Sequence, residues 1–409
     1  MRVAIVGSGV SGLVVAHLLH PRHDITVFEA RQRIGGHVNT ITHEDDSGAW
    51  SIDTGFIVYN EHNYPLFDKL LRRLDVPTQP SVMSFSVRCD RTGLEYNGSS
   101  IRQLFVQKRN LLDLSYYGMI RDILRFNREA PKAVANGVRG WSIGEYLESG
   151  RYSRRLADHY LVPMGSALWS IPPRRVLEMP AEFFVRFFQN HGMLAVDDRT
   201  EWRVVQGGSS RYVESLVRPF RDRIRSQCPV HTVRRESDGV LVNGERFDLV
   251  VLACHSDQAL GMLEDPTRAE QEILGALPYQ TNRIVVHTDT SVLPHRRVAW
   301  GSWNYHIGSE EEAPATVTYN MNMLQTLTAE RTFCVTLNPP DRIDPETVLY
   351  ETSYSHPLYT CEGMEAQGRN SEISGINRTH YCGAYWGFGF HEDGVRSAAA
   401  VAGSLGVDL

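Results

Sequence analysis

The sequence predicts an α/β protein of two interleaved domains, one built on a parallel sheet and the other α+β. Three observations predict it. The chain opens on RVAIV (2–6), GSGVSG and then LVVAHLLH, which is the order strand, tight turn, helix. FDLVVLAC (247–254) is hydrophobic throughout from Leu249, as strands covered on both faces of a parallel sheet are. Between these segments, and again after the second, the texture changes to amphipathic helices and alternating strands. That change implies a second domain inserted into the first.

Taken in order, DITVFEA (24–30) is a second strand ending at Glu29, and RQRIGGH leads into a hairpin that closes at DTGF (53–56). From about Asn63 to Phe188 helical periodicity dominates, in YPLFDKLLRRL, LSYYGMIRDILRFNREA and SIGEYLES, with one strand-like segment, SVMSFSVR (81–88). QGGSSRYVESLVRPF (206–220) is a turn entering a helix, and a meander follows in PVHTVRRE, VLVNGE and FDLVVLAC. RIVVHT, ATVTYN and FCVTLN, between Asn282 and Leu358, predict a further sheet. The first domain is therefore assigned to 1–62, 200–275 and 359–409, and the second to 63–199 and 276–358.

A chain of 409 residues with 42% hydrophobic content can build two ordinary cores. A net charge of −6 gives no basic surface to recruit nucleic acid. No apolar run reaches the length of a membrane helix and a strand begins at Arg2, so a cytoplasmic protein without a transmembrane segment is expected. The six cysteines form no CxxC pair and the 16 histidines no HExxH, so no metal is expected.

Gly7, Gly9 and Gly12 form a GxGxxG between strand and helix, with Glu29 at the end of the next strand. Gly7 permits the tight turn, Gly9 lets a pyrophosphate approach the backbone, and Gly12 lets helix pack on strand; Glu29 is placed to accept ribose hydroxyls. The helix N-terminus then faces the phosphates. This is the Rossmann-type dinucleotide signature.

RIGGH (33–37) directly after Glu29 is extra to a plain NAD fold, and here the sequence resembles the flavin-dependent amine oxidase superfamily. The resemblance implies FAD, with Ala30, Arg31, Gly35, Gly36 and His37 along its diphosphate and ribityl chain, the stretch Asp53, Thr54, Gly55 and then Phe56 beside the flavin, and Val230 against adenine. It extends to the C-terminal YCGAYWGFGFHEDGVRSA (381–398), implying that Gly383 lies on the ribityl phosphate and that the amides around Glu392, Asp393, Gly394 and Val395 face the pyrimidine edge. DTGFIVYNEHNYPLF, YLVPMGSALWSIP, RTEWRVVQGGSSRYV and CGAYWGFGFHEDG further resemble the flavoproteins related to the N-terminal flavin domain of plant cyclopropane fatty acid synthases.

Amine oxidases commonly place a lysine near the flavin on the strand that NRIVVHT resembles; here that strand carries Arg283, and no lysine follows Lys132. His391 falls near the family's aromatic-cage position and is the leading candidate for a hydrogen-bond donor or proton shuttle, the alternative being a helix cap. Tyr59 and Asn60 are further catalytic candidates. Trp169 and Trp303 are candidate pocket residues, as is Phe184 of EFFVRFF (182–188), whose rings form either core packing or an apolar, membrane-facing mouth. The resemblance implies an FAD-dependent oxidoreductase acting on a small-molecule or lipid substrate, foremost a fatty-acyl chain. Two alternatives are an amine or amino-acid oxidase that releases peroxide, and an accessory flavoprotein partnering a fatty-acid methyltransferase.

Overall fold

The computed structural model describes residues 1–409 except 47, 136, 138, 139, 196–199, 310–313 and 341. A five-stranded parallel sheet, in the order Ile224–Arg225, Asp24–Phe28, Arg2–Val6, Leu249–Leu252, Thr379–Tyr381, draws its strands from both ends and the middle of the chain. Val3 and Ile5 enter one core while Ala4 and Val6 enter another on the opposite face; Leu249 and Val251 alternate with Val250 and Leu252 in the same way. A strand buried on both faces has no polar side to show, which is why these runs read as uniformly apolar. Helices Val10–Leu19 and His391–Ser404 cover the first face. The antiparallel meander Val233–Phe247 and helices Ser256–Met262 and Arg268–Gly275 cover the second.

A seven-stranded sheet runs Val348–Pro357, Tyr279–His287, Cys334–Leu337, Thr316–Asn320, Trp303–Ile307, Phe85–Cys89, Leu94–Asn97. Every neighbouring pair is antiparallel except Trp303–Ile307 with Phe85–Cys89. Helices Leu114–Ala135 and Val162–Trp169 pack beside it, and Ala181–Asn190 packs on the former. SVMSFSVR is not one strand. Thr78–Ser81 pairs with Trp202–Val205 in a small sheet, whereas Phe85–Cys89 joins the large one. The chain crosses between them at Ser84, whose N–H and Oγ are tied to Ser302. Among the described residues no helix is long and apolar enough to cross a membrane.

Candidate active site

A cavity of about 1070 Å³ runs from the carboxyl ends of the parallel strands to the large sheet. Its first part is walled by backbone. Gly7 sits at φ +104°, and a Cβ there would lie 2.7 Å from the Ala253 carbonyl oxygen. At Gly9 an added Cβ would meet nothing within 4 Å, so the turn leaves open cavity where a phosphate would lie. Gly12 has no such freedom: its Cβ would be 2.0 Å from the Gly7 carbonyl oxygen, so this glycine serves helix-on-strand packing and does not line the cavity. Gly36, at φ +61°, would place a Cβ 2.9 Å from the Gly9 Cα, which makes the two glycine passages adjacent walls of one cradle. The helix beginning at Val10 has no side-chain cap and no acid in its first turn. A bare N-terminus with Gly9, Val10 and Ser11 on the cavity is suited to an anion.

Glu29 lines the cavity beside Ala30, Arg31 and Val230. Its carboxylate accepts from the Ser8 N–H at 3.1 Å, the Ser8 hydroxyl at 2.5 Å and the Arg31 N–H at 2.8 Å, which fixes it while leaving acceptor capacity for ribose hydroxyls. Gly35, Gly36, His37, Gly55, Phe56, Gly383 and His391 continue the lining. Gly55 is forced by contact, since a Cβ would lie 2.1 Å from the His37 carbonyl oxygen. Beside it Asp53 is fully buried and does not line the cavity. It accepts from Thr40 Oγ1 at 2.6 Å, the Ser209 N–H at 2.9 Å and Gln325 Nε2 at 3.1 Å, and burial pushes its carboxyl up to about 6. The acid of the DTG turn is thus a clamp joining three parts of the chain. Glycine passages, an uncapped helix end and a fixed carboxylate, in that order along one cavity, fit the diphosphate, ribose and flavin of FAD.

Several predicted residues lie elsewhere. Tyr59 is 1% exposed and packs edge-on against Tyr64 and Phe67, and Asn60 is buried with its Oδ1 accepting from the Asn63 N–H; neither lines the cavity. Glu392 turns away to accept from the Leu66 and Phe67 N–H groups, capping helix Pro65–Arg73. Asp393 accepts from the Phe388 and Phe390 N–H groups at the start of its own helix. Gly394 packs against Val10 of the first helix and Val395 lies in the core. The C-terminal helix therefore reaches the cavity through Phe390 and His391. Trp169 donates to the Phe388 carbonyl and is enclosed by Phe183, Phe184 and Phe187. Of the four EFFVRFF rings only Phe187 lines the cavity, and all are buried, so that face is core and not a membrane-facing mouth. Trp303 does line it.

His391 stacks on Phe56 with ring centroids 3.5 Å apart, and its Nε2 meets the Tyr212 hydroxyl at 3.0 Å. Burial lowers it to about 3, so it is a neutral, hydrogen-bonded wall residue. The hydrogen-bonding role expected of it fits this geometry, while burial works against the titration near neutrality that a proton shuttle would use. Arg283 points outward to Glu351 at 2.8 Å, while its neighbour Ile284 faces the cavity. Among the described lining residues there is no lysine, and the arginines are Arg31 and Arg33 at the nucleotide end.

The sequence reading missed one aromatic wall and the ring partners of His37. Trp202, His191, Phe187 and Phe390 form a stacked wall, with centroid spacings of 6.4, 3.8 and 4.9 Å. Across from the glycine turn, His37 meets Tyr354 at 4.8 Å and His356 at 5.2 Å; burial holds His37 well below its usual range and His356 at about 4. The i, i+4 spacing of Phe187 and His191, and the i, i+2 spacing of Tyr354 and His356, are the only local signals that placed each pair on one face.

This arrangement defines the class: an α/β protein built to hold a flavin dinucleotide between a parallel sheet and a second, mixed sheet. Residues 10–326 match the profile of the family described as flavin containing amine oxidoreductase, and the chain belongs to that family. The family is flavin-containing, and the cofactor is FAD. It is 23% identical over 327 residues to an L-amino-acid oxidase of Siganus canaliculatus, which covers 71% of this chain and 57% of that protein. A second L-amino-acid oxidase, of Pseudechis australis, is 42% identical over 55 residues, 13% of this chain and 10% of that one. The chain thus spans little more than half the length of the first of these relatives. Among solved structures it is similar to putrescine oxidase bound to putrescine, at TM-score 0.69, 16% identity and 99% of each chain. It is also similar to a CLA-producing fatty acid isomerase from P. acnes, at TM-score 0.68 and 14% identity over 98% of this chain and 97% of that one. At such identities the likeness is one of fold.

Proposed function

We infer that the protein uses FAD to oxidise or isomerise an apolar, acyl-like chain, and that it falls in the subgroup related to the cyclopropane-synthase flavin domains. One observation carries the reading: beyond the flavin region the cavity continues as an arm whose lining is uncharged and mainly apolar. Met83, Phe85, Ile120, Ile123, Met164 and Leu168 line it, with Trp303 and Tyr319 on the sheet side and Ser81, Ser84, Ser99 and Asn127 among them. An arm of that composition favours a hydrocarbon over an amine. The absence of arginine or lysine from its described lining leaves nothing to pair with an amino acid's carboxylate, which disfavours the amino-acid oxidase alternative.

Gly7, Gly9, Gly36 and the first turn at Val10 would hold the diphosphate, Glu29 the ribose, and Gly55, Phe56, Gly383 and His391 the flavin. The bound cofactor supplies a two-electron acceptor. Phe187, His191, Trp202 and Phe390 would exclude water and present an aromatic wall beside the flavin site, and His37 and His356, whose pKa values burial keeps low, line the cavity as hydrogen-bonding groups. The division into a cofactor unit (1–62, 200–275, 359–409) and a substrate unit (63–199, 276–358) is part of this proposal; its 199/200 boundary adjoins residues 196–199, outside the described residues. The methyltransferase partner rests on the resemblance alone.

Anaerobic mixing of the FAD-loaded protein with unsaturated fatty acids, phospholipids and a series of amines tests the reading. Loss of oxidised-flavin absorbance, or a shifted double bond in the recovered lipid, is expected with the lipids. Bleaching by amines with peroxide release on admitting air, and inert lipids, would replace it with the amine oxidase alternative.

A further inference from the structure

Of the eleven large apolar side chains left exposed among the described residues, six lie between Ile101 and Leu124. Single exposed apolar groups are ordinary, but a cluster is not. Leu112 is 90% exposed, Leu114 86% and Ile101 79%, with Leu111, Tyr117 and Leu124 beside them in sequence. A seventh, Val298, adjoins the group through its carbonyl, which accepts from Gln103 Nε2 at 3.4 Å.

The segments that carry these side chains are held in place. The Tyr116 hydroxyl donates to the Leu104 carbonyl at 2.8 Å, and the Tyr117 hydroxyl to the Leu111 carbonyl at 3.3 Å, tying the short helix Ile101–Leu104 and the turn Lys108–Leu112 to the long helix Leu114–Ala135. The apolar tips are therefore presented outward by a braced platform.

Charge around the platform runs against that of the chain. Between residues 99 and 128 there are six arginines and lysines and two carboxylates, in a protein of net charge −6. Both carboxylates are engaged: Asp113 pairs with Arg155 at 2.8 Å, and Asp122 is buried and accepts from the Ser153 N–H at 2.9 Å. Arg102, Lys108, Arg121 and Arg128 are exposed, Arg121 pairing with Asp122 at 3.4 Å and Arg128 with Glu129 at 3.3 Å. Ile120 and Leu124 belong both to this surface and to the lining of the apolar arm, and they share a shallow depression with Tyr117, Arg121, Arg125 and Arg128.

We propose that the surface formed by Ile101, Leu111, Leu112, Leu114, Tyr117 and Val298 docks on an anionic lipid bilayer, placing the Ile120–Leu124 end of the cavity at the acyl region. Exposed aliphatic tips rimmed by arginine and lysine match the two zones of such an interface, hydrocarbon inside and acidic headgroups outside. A second copy of the chain fits less well, because a two-fold contact through this face would set positive rim against positive rim. The role of the docked arm as an acyl entry rests on the proposed substrate class; the docking itself does not.

The test is flotation of the FAD-loaded protein with vesicles of phosphatidylcholine alone and of phosphatidylcholine with phosphatidylglycerol, over a series of salt concentrations. Binding to the anionic vesicles is expected, weakening with salt. Leu112→Glu combined with Leu114→Glu should abolish it while leaving flavin absorbance and melting temperature unchanged, since both side chains stand in solvent. Arg102→Gln and Lys108→Gln should each weaken it about fivefold. The proposal is overturned if the wild type ignores both vesicle types, if the double Leu variant floats undiminished, or if that variant converts a wild-type dimer to monomer. Flavin bleaching by a fatty acid in solution without vesicle binding removes the docking and spares the substrate reading; vesicle binding with no bleaching by any lipid does the reverse.

Discussion

At its nucleotide end the cavity is walled by backbone, and at its far end by side chains. The difference decides how each end can be damaged. Gly7, Gly35 and Gly36 hold left-handed φ values of +104°, +112° and +61°, which other residues adopt only with strain, and their neighbours are carbonyls and Cα atoms that cannot rotate aside. The far arm is lined mainly by Met, Phe, Leu, Ile, Trp and Tyr side chains from separate strands and helices, a lining that can repack around a substitution. A single atom should therefore destroy the first end, whereas the second should yield by degrees.

The largest contrast is expected from Gly36→Val. Its branched Cβ would meet Gly9 Cα at 2.9 Å in a left-handed conformation, and the purified variant should be colourless, with FAD affinity down at least about a hundredfold. Retention of bound flavin would show that the two glycine passages are not the walls of one cradle.

Acid should act next, and on the side-chain end. Burial holds His191 and His356 at about 4 and His391 at about 3, against 6.5 for a free imidazole. Their folded values are depressed, so the unfolded chain binds more protons between about 4 and 6.5, and stability falls as pH drops through that window by about 1.4 kcal/mol per pH unit for each group. Asp53, raised from 3.8 to about 6, has the opposite sign: it is favoured by protonation and becomes costlier as pH rises through that range. His37 and His287 are lowered by burial as well, and Glu392 and Asp393 are raised like Asp53, so the five histidines outweigh the three carboxyls. Thermal melts should show the melting temperature declining from pH 6.5 downward, with a shallower decline in His356→Gln; a flat profile would contradict neutral buried imidazoles.

Glu29→Gln keeps the shape of the nucleotide end and removes its charge. A loss of about 1.5–3 kcal/mol in FAD binding is expected, read by titrating apoprotein with FAD, while NAD should not substitute. Smallest at the cofactor is Trp303→Ala in the arm. FAD affinity should stay within about a factor of two, while KM for an acyl substrate rises about tenfold through lost apolar contact. An equal loss at both would mean that the arm and the cradle are one cooperative unit.

The same contrast governs what could be read without coordinates. GSGVSG, RIGGH and DTGF were legible because a turn of positive φ or a backbone-to-backbone contact restricts the residue at that position, whatever the rest of the chain does. The acid of DTGF was legible as a feature and not as a clamp, because Thr40, Ser209 and Gln325 reach it from distant segments. HEDG was misread for a related reason: an acidic pair before a helix signals capping, but only packing sends Glu392 to the neighbouring helix Pro65–Arg73. Tyr59, Asn60 and Trp169 lay close in sequence to cavity residues, yet strand alternation and ring packing turned them inward.

The sequence by itself determined the parallel nucleotide-binding sheet, the glycine cradle and hence FAD, since each is a local backbone requirement written as residue type. Only the tertiary structure decided which aromatic rings face the cavity, that His391 is buried, and that the apolar surface at 101–124 is left in solvent. Burial and adjacency are properties of segments meeting, and no single segment carries them.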